Sequence, residues 1–275
     1  MAERMYINGA PADSVSAMDR GLSYGDGLFE SVRLVGTDAP LWPRHMQRLQ
    51  QSCQRLHLPV PDTEQLWREA LQVSHGLPQA VVRIAVTRGV GPRGYRPPPS
   101  AQPTRIVAAF AAPPSDRATY RDGVRMRVCE LRLAEQPLLA GMKHLNRLEQ
   151  VLARAEWKDP AIAEGLLRDT HDRVISATMA NLFAVVDGTL VTPALDRCGI
   201  AGVGRAEILA TSPAIRVGEL MVSDLLRADE VFLSSSVRGV LPVQSLGETV
   251  YRVGPITRQW QQHWRDLGFV MEQNT

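Results

Sequence analysis

The chain is short of lysine: Lys143 and Lys158 are the only lysines among its 31 basic residues, the rest being arginine. Cysteine is scarce as well. Cys53, Cys129 and Cys198 are odd in number, far apart and without CxxC or HxxxH spacing, which argues against both a disulfide framework and a zinc site. Cys53 falls in one apolar stripe with Met46, Leu49 and Leu56 and reads as a reduced core residue. No run of about 18 or more apolar residues occurs, nor a charged segment leading into an apolar one near the start, so the expectation is a soluble, cytoplasmic protein with no membrane partner. The formal charge of +2 is nearly balanced, and the arginines are neither blocked together nor interleaved with aromatics, so nucleic acid is not an expected partner.

What is present is enough chain for a large core. At 275 residues an α/β (α+β) architecture of two domains is predicted. Tyr6-Ile7 leads into an Asn8-Gly9 turn, and Ser31 to Val35 alternates before Gly36-Thr37-Asp38. Two helices follow, from about Arg44 to Leu56 and from an Asp62 cap through Leu66, Ala70 and Val73. Ala80 to Thr87 and Thr104 to Ala111 read as strands. Proline-rich Ala112-Pro113-Pro114-Ser115-Asp116 extends neither sheet nor helix. The expected division is therefore an N-terminal α/β domain over 1–112, a linker over 113–121 and a C-terminal α/β domain over 122–275. In the latter, strands are read at Val124 to Cys129, Gly165 to Asp169, Asn181 to Val186 and Glu230 to Leu233. An Asp187-Gly188 hairpin and helices near Leu145 to Ala155, from Val203 to Ala210 and from Pro255 complete it.

Where the chain needs only a solvated cation it uses arginine, so each lysine asks what an ammonium does that a guanidinium cannot. A lysine amine can be deprotonated and attack a carbonyl; arginine stays protonated. Lys158, in Trp157-Lys158-Asp159-Pro160, is explained as a cation at a helix end. Lys143, in Gly141-Met142-Lys143-His144-Leu145-Asn146-Arg147, is read as lying just before a helix, where the macrodipole opposes a cation and lowers an amine's pKa.

Several segments together resemble the fold-type IV pyridoxal phosphate family of branched-chain and D-amino-acid aminotransferases and aminodeoxychorismate lyases. Asp19-Arg20-Gly21-Leu22-Ser23-Tyr24-Gly25-Asp26-Gly27-Leu28-Phe29-Glu30 resembles its N-terminal signature, His45-Met46-Gln47-Arg48-Leu49 its phosphate-arginine helix, and Lys143 to Glu149 the lysine segment of the lyase branch. The resemblance runs in register from about Tyr6 to the last helix. It implies pyridoxal 5'-phosphate held as a Schiff base on Lys143, in an active site at the domain interface of a homodimer. Its phosphate would be held by Arg48, by the amides of Val203 and Gly204 in Ala201-Gly202-Val203-Gly204-Arg205, and by Ser236. Arg93 and Tyr95 match the loop that binds substrate carboxylate, and Ser31 matches a hydroxyl position that in the lyase branch assists elimination.

Ser176 departs from the pattern. In Val174-Ile175-Ser176-Ala177-Thr178-Met179-Ala180-Asn181 the family normally places glutamate there, against the pyridine nitrogen. A hydroxyl only hydrogen-bonds and leaves the ring nitrogen neutral, a poorer electron sink. Transamination should suffer most. Elimination that makes an aromatic ring should suffer least, so the expected activity is cleavage of aminodeoxychorismate to 4-aminobenzoate and pyruvate for folate synthesis. Two alternatives stay open: a transaminase for D- or branched-chain amino acids, and a family member weakened or repurposed through Ser176.

Overall fold

The computed structural model describes residues 4–114 and 116–270, which form two compact units. The first comprises Met1–Pro113 together with Met142–Asn146; the second comprises Pro114–Gly141 and Arg147–Thr275. Met142–Asn146 thus goes with the N-terminal unit, whereas sequence reading had assigned the lysine to the C-terminal domain.

The first unit is built of β1 (Arg4–Ile7), β2 (Ala10–Pro11), α1 (Arg20–Tyr24), β3 (Gly27–Val35), α2 (Trp42–Arg55), α3 (Thr63–Ser74), β4 (Gln79–Thr87) and β5 (Thr104–Ala111). Its sheet runs in the order β2-β1-β5-β4-β3 with every pair antiparallel. Alternation in β3 puts Leu28, Val32 and Leu34 into a core that also takes Leu49 of α2 and Leu66, Ala70 and Val73 of α3. Asp62 caps α3, its carboxylate accepting from the Glu64 and Gln65 amides at 2.9 and 3.4 Å.

Because β3 ends the sheet, its outer edge has backbone groups to satisfy. The lysine segment does this: Phe29 N–H donates to Lys143 O at 2.9 Å and Leu145 N–H to Gly27 O at 3.0 Å. Lys143 is therefore on an edge bridge and not at a helix start. The nearest helix, α5 (Leu148–Arg154), begins five residues later, so the macrodipole expected to act on the amine is not what positions it.

In the second unit, α4 (Arg117–Asp122), β6 (Val124–Leu133), α5, β7 (Ile162–Asp169), β8 (Val174–Ala177), β9 (Asn181–Val186) and β10 (Thr189–Pro193) are followed by α6 (Val203–Thr211), β11 (Arg216–Gly218) and α7 (Val222–Leu226). β12 (Glu230–Ser235), β13 (Gly239–Leu246), β14 (Thr249–Val250) and α8 (Pro255–Asp266) close the chain. The strands form one mixed sheet ordered β11-β10-β9-β12-β13-β6-β7-β8, with β14 on β13. α4 lies inside the stretch read as linker. Asp116 caps it and Tyr120 anchors it, burying its ring and donating its hydroxyl to Arg238 O at 2.7 Å.

Asp187 and Gly188, with φ of 50° and 72°, make the tight turn between β9 and β10 that their residue types demand. Cys129, Leu133, Ala153, Trp157, Leu167, Ile175 and Cys198 form one core cluster. Burial pushes the thiols of Cys129 and Cys198 up to about 11 and about 12, and that of Cys53 in the first unit to about 11, so all three are inert structural residues. On α5 the apolar Leu148, Val151 and Leu152 are 75, 61 and 61 % exposed.

Candidate active site

The odd residues of β3 present a second face. Phe29 and Ser31 share it, and Ser31 pairs across the ladder with Arg83 of β4. Lys143 Nζ lies 4.3 Å from the centroid of the Phe29 ring, and the Arg83 guanidinium carbon 4.2 Å from it. An amine and a guanidinium thus meet one aromatic ring, whose π-face attracts both cations. Ser31 is two residues along the same strand face from Phe29. The structure adds Arg83, which sequence reading missed; its signal was an arginine inside a β-branched strand, but its pairing with Ser31 exists only in the folded ladder.

Glu30 alternates to the other side of β3 and meets α2. Its carboxylate, 1 % exposed, accepts from Arg48 Nε at 2.8 Å and Arg48 Nη2 at 2.5 Å, and lies 2.6 Å from His45 Nδ1. Burial pushes this carboxyl up, but the Arg48 charge and the bonds from His45 and Arg48 outweigh that and hold its pKa at about 2. Burial likewise lowers His45, against the pull of Glu30, and the charge of Lys143 reaches the same imidazole. Arg48 is therefore a fixed guanidinium one helical turn from a neutral His45. Sequence reading found Arg48 but neither partner, although a glutamate within the apolar Leu28-to-Val35 run was the available sign.

Both shifts act in one direction with pH. His45 has a folded pKa below its ordinary 6.5, so the unfolded chain takes up protons first and stability falls as pH drops through that value. Glu30 has a folded value of about 2 against an ordinary 4.5, so its contribution is complete above 4.5 and is lost as pH falls toward 2. That second loss amounts to about 3 kcal/mol. Urea titrations from pH 7 down to 2 should show both losses, and Glu30→Gln should be less stable at pH 7 yet flatter below pH 4.5.

Arg93 and Tyr95 lie in the loop between β4 and β5, with Tyr95 87 % exposed. The loop is held by α1: Arg20 donates to Gly94 O and Tyr95 O, and the Tyr24 hydroxyl accepts from the Gly94 amide. These two residues belong with α1 rather than with the group around Phe29.

The second unit carries the remaining expected residues. α6 begins at Val203 and Gly204, with Gly202 as its N-cap, no side-chain cap and no acidic residue in its first turn. The approach is pinned by Asn181, which accepts from the Gly202 amide at 2.8 Å and donates to Ile200 O at 2.9 Å. A Cβ on Gly202 would stand 2.1 Å from the Asn181 oxygen, and one on Gly204 2.6 Å from Ser234 Oγ. Only glycine fits at either place. The Ser234 hydroxyl is buried without a hydrogen-bond partner among the described residues. An uncapped helix start with amides at Val203 and Gly204 is a cradle for an anion, and Ser236 follows β12 next to it in sequence.

Ser176 is buried in β8 opposite Leu167. The carboxylate of Glu164, on neighbouring β7, is engaged by the Thr178 hydroxyl and by Arg238 at 3.3 Å. Burial raises its pKa, against these two partners.

The first unit carries a lysine amine and a fixed arginine, and the second an uncapped helix start bordered by glycines; each is the kind of group that a phosphorylated aldehyde cofactor needs. The family model for amino-transferase class IV matches residues 27–246, and the chain belongs to that family. It is a family of pyridoxal phosphate enzymes acting on small molecules. Among relatives, the chain is 35 % identical over 264 residues to the aminodeoxychorismate lyase of Vibrio harveyi, covering 93 % of this chain and 97 % of that one. The crystal structure of 4-amino-4-deoxychorismate lyase from Pseudomonas aeruginosa is 47 % identical, with a TM-score of 0.91 over 95 % of this chain and 98 % of that one. Branched-chain amino acid aminotransferase from Escherichia coli is 25 % identical with a TM-score of 0.86, over 100 % and 97 %.

Proposed function

We propose that this protein is a 4-amino-4-deoxychorismate lyase, using pyridoxal 5'-phosphate to release 4-aminobenzoate and pyruvate in folate synthesis. The observation that carries this reading is the placement of Lys143 and Arg83 on the Phe29 ring, with Ser31 on the same strand face, in a chain 47 % identical to a lyase of that name. When bound, the cofactor supplies a reactive aldehyde and a conjugated ring that accepts electron density.

The chain's own residues do the rest. Lys143 Nζ would hold the cofactor through its aldehyde, and its amine would serve as the base that takes the proton from the amine-bearing carbon of the substrate. Ser31, on the same sheet face, relays a proton toward the departing enolpyruvyl oxygen. Arg83, Arg93 and Tyr95 orient substrate carboxylates. Arg48, the amides of Val203 and Gly204, and the Ser236 hydroxyl hold the phosphate. Glu30 takes the Nε–Nη2 edge of Arg48, so the end-on Nη1–Nη2 edge of the same guanidinium is the one that would face a phosphate.

Within the second unit, Gly141 is bonded to Gly199 and Ala201 in the approach to α6. The chain is proposed to divide into its two domains near Pro113.

Ser176 would face the ring nitrogen, where a hydroxyl, unlike a carboxylate, would not favour protonation of that nitrogen, and elimination would be favoured over transamination. Ser176→Glu is accordingly expected to raise a transamination half-reaction at least about tenfold while changing lyase turnover less than about threefold. The deciding assay supplies aminodeoxychorismate and no keto acid: fluorescent 4-aminobenzoate and equimolar pyruvate are expected. An absolute requirement for a keto-acid acceptor would replace this reading by that of a transaminase.

A homodimer and a cytoplasmic location belong to the same proposal. Leu148, Val151 and Leu152 form an i, i+3, i+4 stripe on α5 that is exposed in a single chain, as a face buried against a second copy would be. Among the described residues no helix is long and apolar enough to cross a membrane.

A further inference from the structure

The signature segment Asp19 to Gly27 has no part in the chemistry above, yet it contains an arginine that is 3 % exposed. Every nitrogen of that guanidinium has an acceptor. Arg20 Nε donates to Asp26 Oδ2 at 3.0 Å, Nη1 to Gly94 O at 2.8 Å and Nη2 to Tyr95 O at 3.1 Å. A buried arginine that spends two of its prongs on main-chain oxygens of a loop fixes where that loop runs, since releasing it would strand a charge away from water.

The surroundings reinforce this. Asp26 is itself gripped by Arg88, through Nε at 2.7 Å and Nη2 at 3.0 Å, and Arg88 also donates to Leu56 O and His57 O. The Arg20 stem passes Gly91 so closely that a Cβ there would stand 2.8 Å from Arg20 Cδ. Asp19 bridges to Val90, and Arg20 N–H donates to Gly89 O at 2.9 Å. Tyr24 adds its hydroxyl to the Gly94 amide at 3.0 Å, its ring under the Arg20 guanidinium at 4.7 Å, and an edge contact to the Tyr95 ring at 5.6 Å.

We propose that Arg20 is a positioning residue: its buried guanidinium, seated on Asp26 and backed by Tyr24, sets the conformation in which Arg93-Gly94-Tyr95 presents its side chains to a substrate carboxylate. The carbonyls of Gly94 and Tyr95 are turned onto the buried Arg20 guanidinium, while Arg93 and Tyr95 themselves are exposed. Lysine at position 20 cannot reproduce the fork, because one ammonium cannot reach Asp26 and two successive carbonyls in a plane. The assignment of Arg93 and Tyr95 to substrate rests on the lyase reading.

The test compares holoenzymes of the native protein, Arg20→Gln, Arg20→Lys, Tyr24→Phe, Arg93→Ala and the pair Arg20→Gln/Arg93→Ala, with aminodeoxychorismate as substrate. Arg20→Gln is expected to raise KM at least about tenfold while kcat stays within about threefold, with Arg20→Lys recovering little of the loss. Tyr24→Phe, which removes one hydroxyl and no charge, is expected to raise KM by about two- to fivefold. In the Arg93→Ala background Arg20→Gln should add less than about twofold, because the group being positioned is gone. Hydrogen exchange supplies a readout that needs no turnover: amides of the 91–96 segment should exchange about tenfold faster or more in Arg20→Gln, with the strands of the same sheet unchanged. An unchanged KM, full additivity with Arg93→Ala, or unaltered exchange in that segment would each overturn the positioning role. A native protein that exchanges as expected but releases no 4-aminobenzoate would sink the lyase reading instead and leave the loop anchor standing.

Discussion

Lys143→Ala is expected to lower turnover by about 10⁴-fold or more while leaving the fold intact. The backbone bonds that seat the segment, Phe29 N–H to Lys143 O and Leu145 N–H to Gly27 O, do not involve the side chain. What is lost is an amine that serves successively as nucleophile and base, two roles that arginine at the same place cannot fill. Lys143→Arg should therefore be as inactive as Lys143→Ala, although it restores the cation beside Phe29. Borohydride treatment of the pyridoxal phosphate-loaded protein, followed by peptide mapping, should place the cofactor on the peptide that carries Lys143. Lys158→Arg should leave both that label and turnover unchanged. Full activity in Lys143→Arg would end the proposed mechanism.

The second large effect belongs to Arg48, and it has two separable parts. Truncation to methionine removes a charge-assisted contact to the cofactor phosphate, and affinity for pyridoxal phosphate should fall by about 30- to 300-fold, at about 2 to 3 kcal/mol for such a bond. It also leaves the buried Glu30 carboxylate without its guanidinium, which should cost about 3 kcal/mol of stability at pH 7. The double variant Glu30→Gln/Arg48→Met should recover most of that stability and none of the cofactor affinity. Spectroscopic titration with pyridoxal phosphate and urea unfolding of the unloaded protein measure the two parts independently. Recovery of both together would mean that Arg48 serves only the ion pair.

Lys143 was legible because a chain that uses arginine wherever a cation suffices marks its lysines. The strands were legible where apolar residues alternate, as along Ser31 to Val35 in β3, or where β-branched residues run together, as in β4, and the helices where a cap or an apolar stripe announced them, as at Asp62 and along Met46, Leu49 and Cys53. α6 was readable from its glycines, and the structure adds why they are glycines: Asn181 and Ser234 occupy the space a Cβ would need. The helix near Lys143 differs from its reading in one respect: the lysine is read as lying just before it, whereas the segment is an edge partner of β3, and the apolar Leu148 and Leu152 of α5 are exposed. Periodicity reports that a face is apolar; it does not report what covers the face.

By itself the sequence determined which atoms are available: one amine outside a helix end, an arginine on an amphipathic helix, glycines ahead of a helix, and serine where a carboxylate would strengthen the electron sink. Only the tertiary structure decided how those atoms are held. Arg83 faces Ser31, Glu30 takes one edge of Arg48, and Arg20 turns the Gly94 and Tyr95 carbonyls inward. Each of these joins positions separated by between 18 and 75 residues, or pairs them through a strand register. Local propensity carries no information about such distant pairings; they arise when the core closes and every buried charge must find its partner.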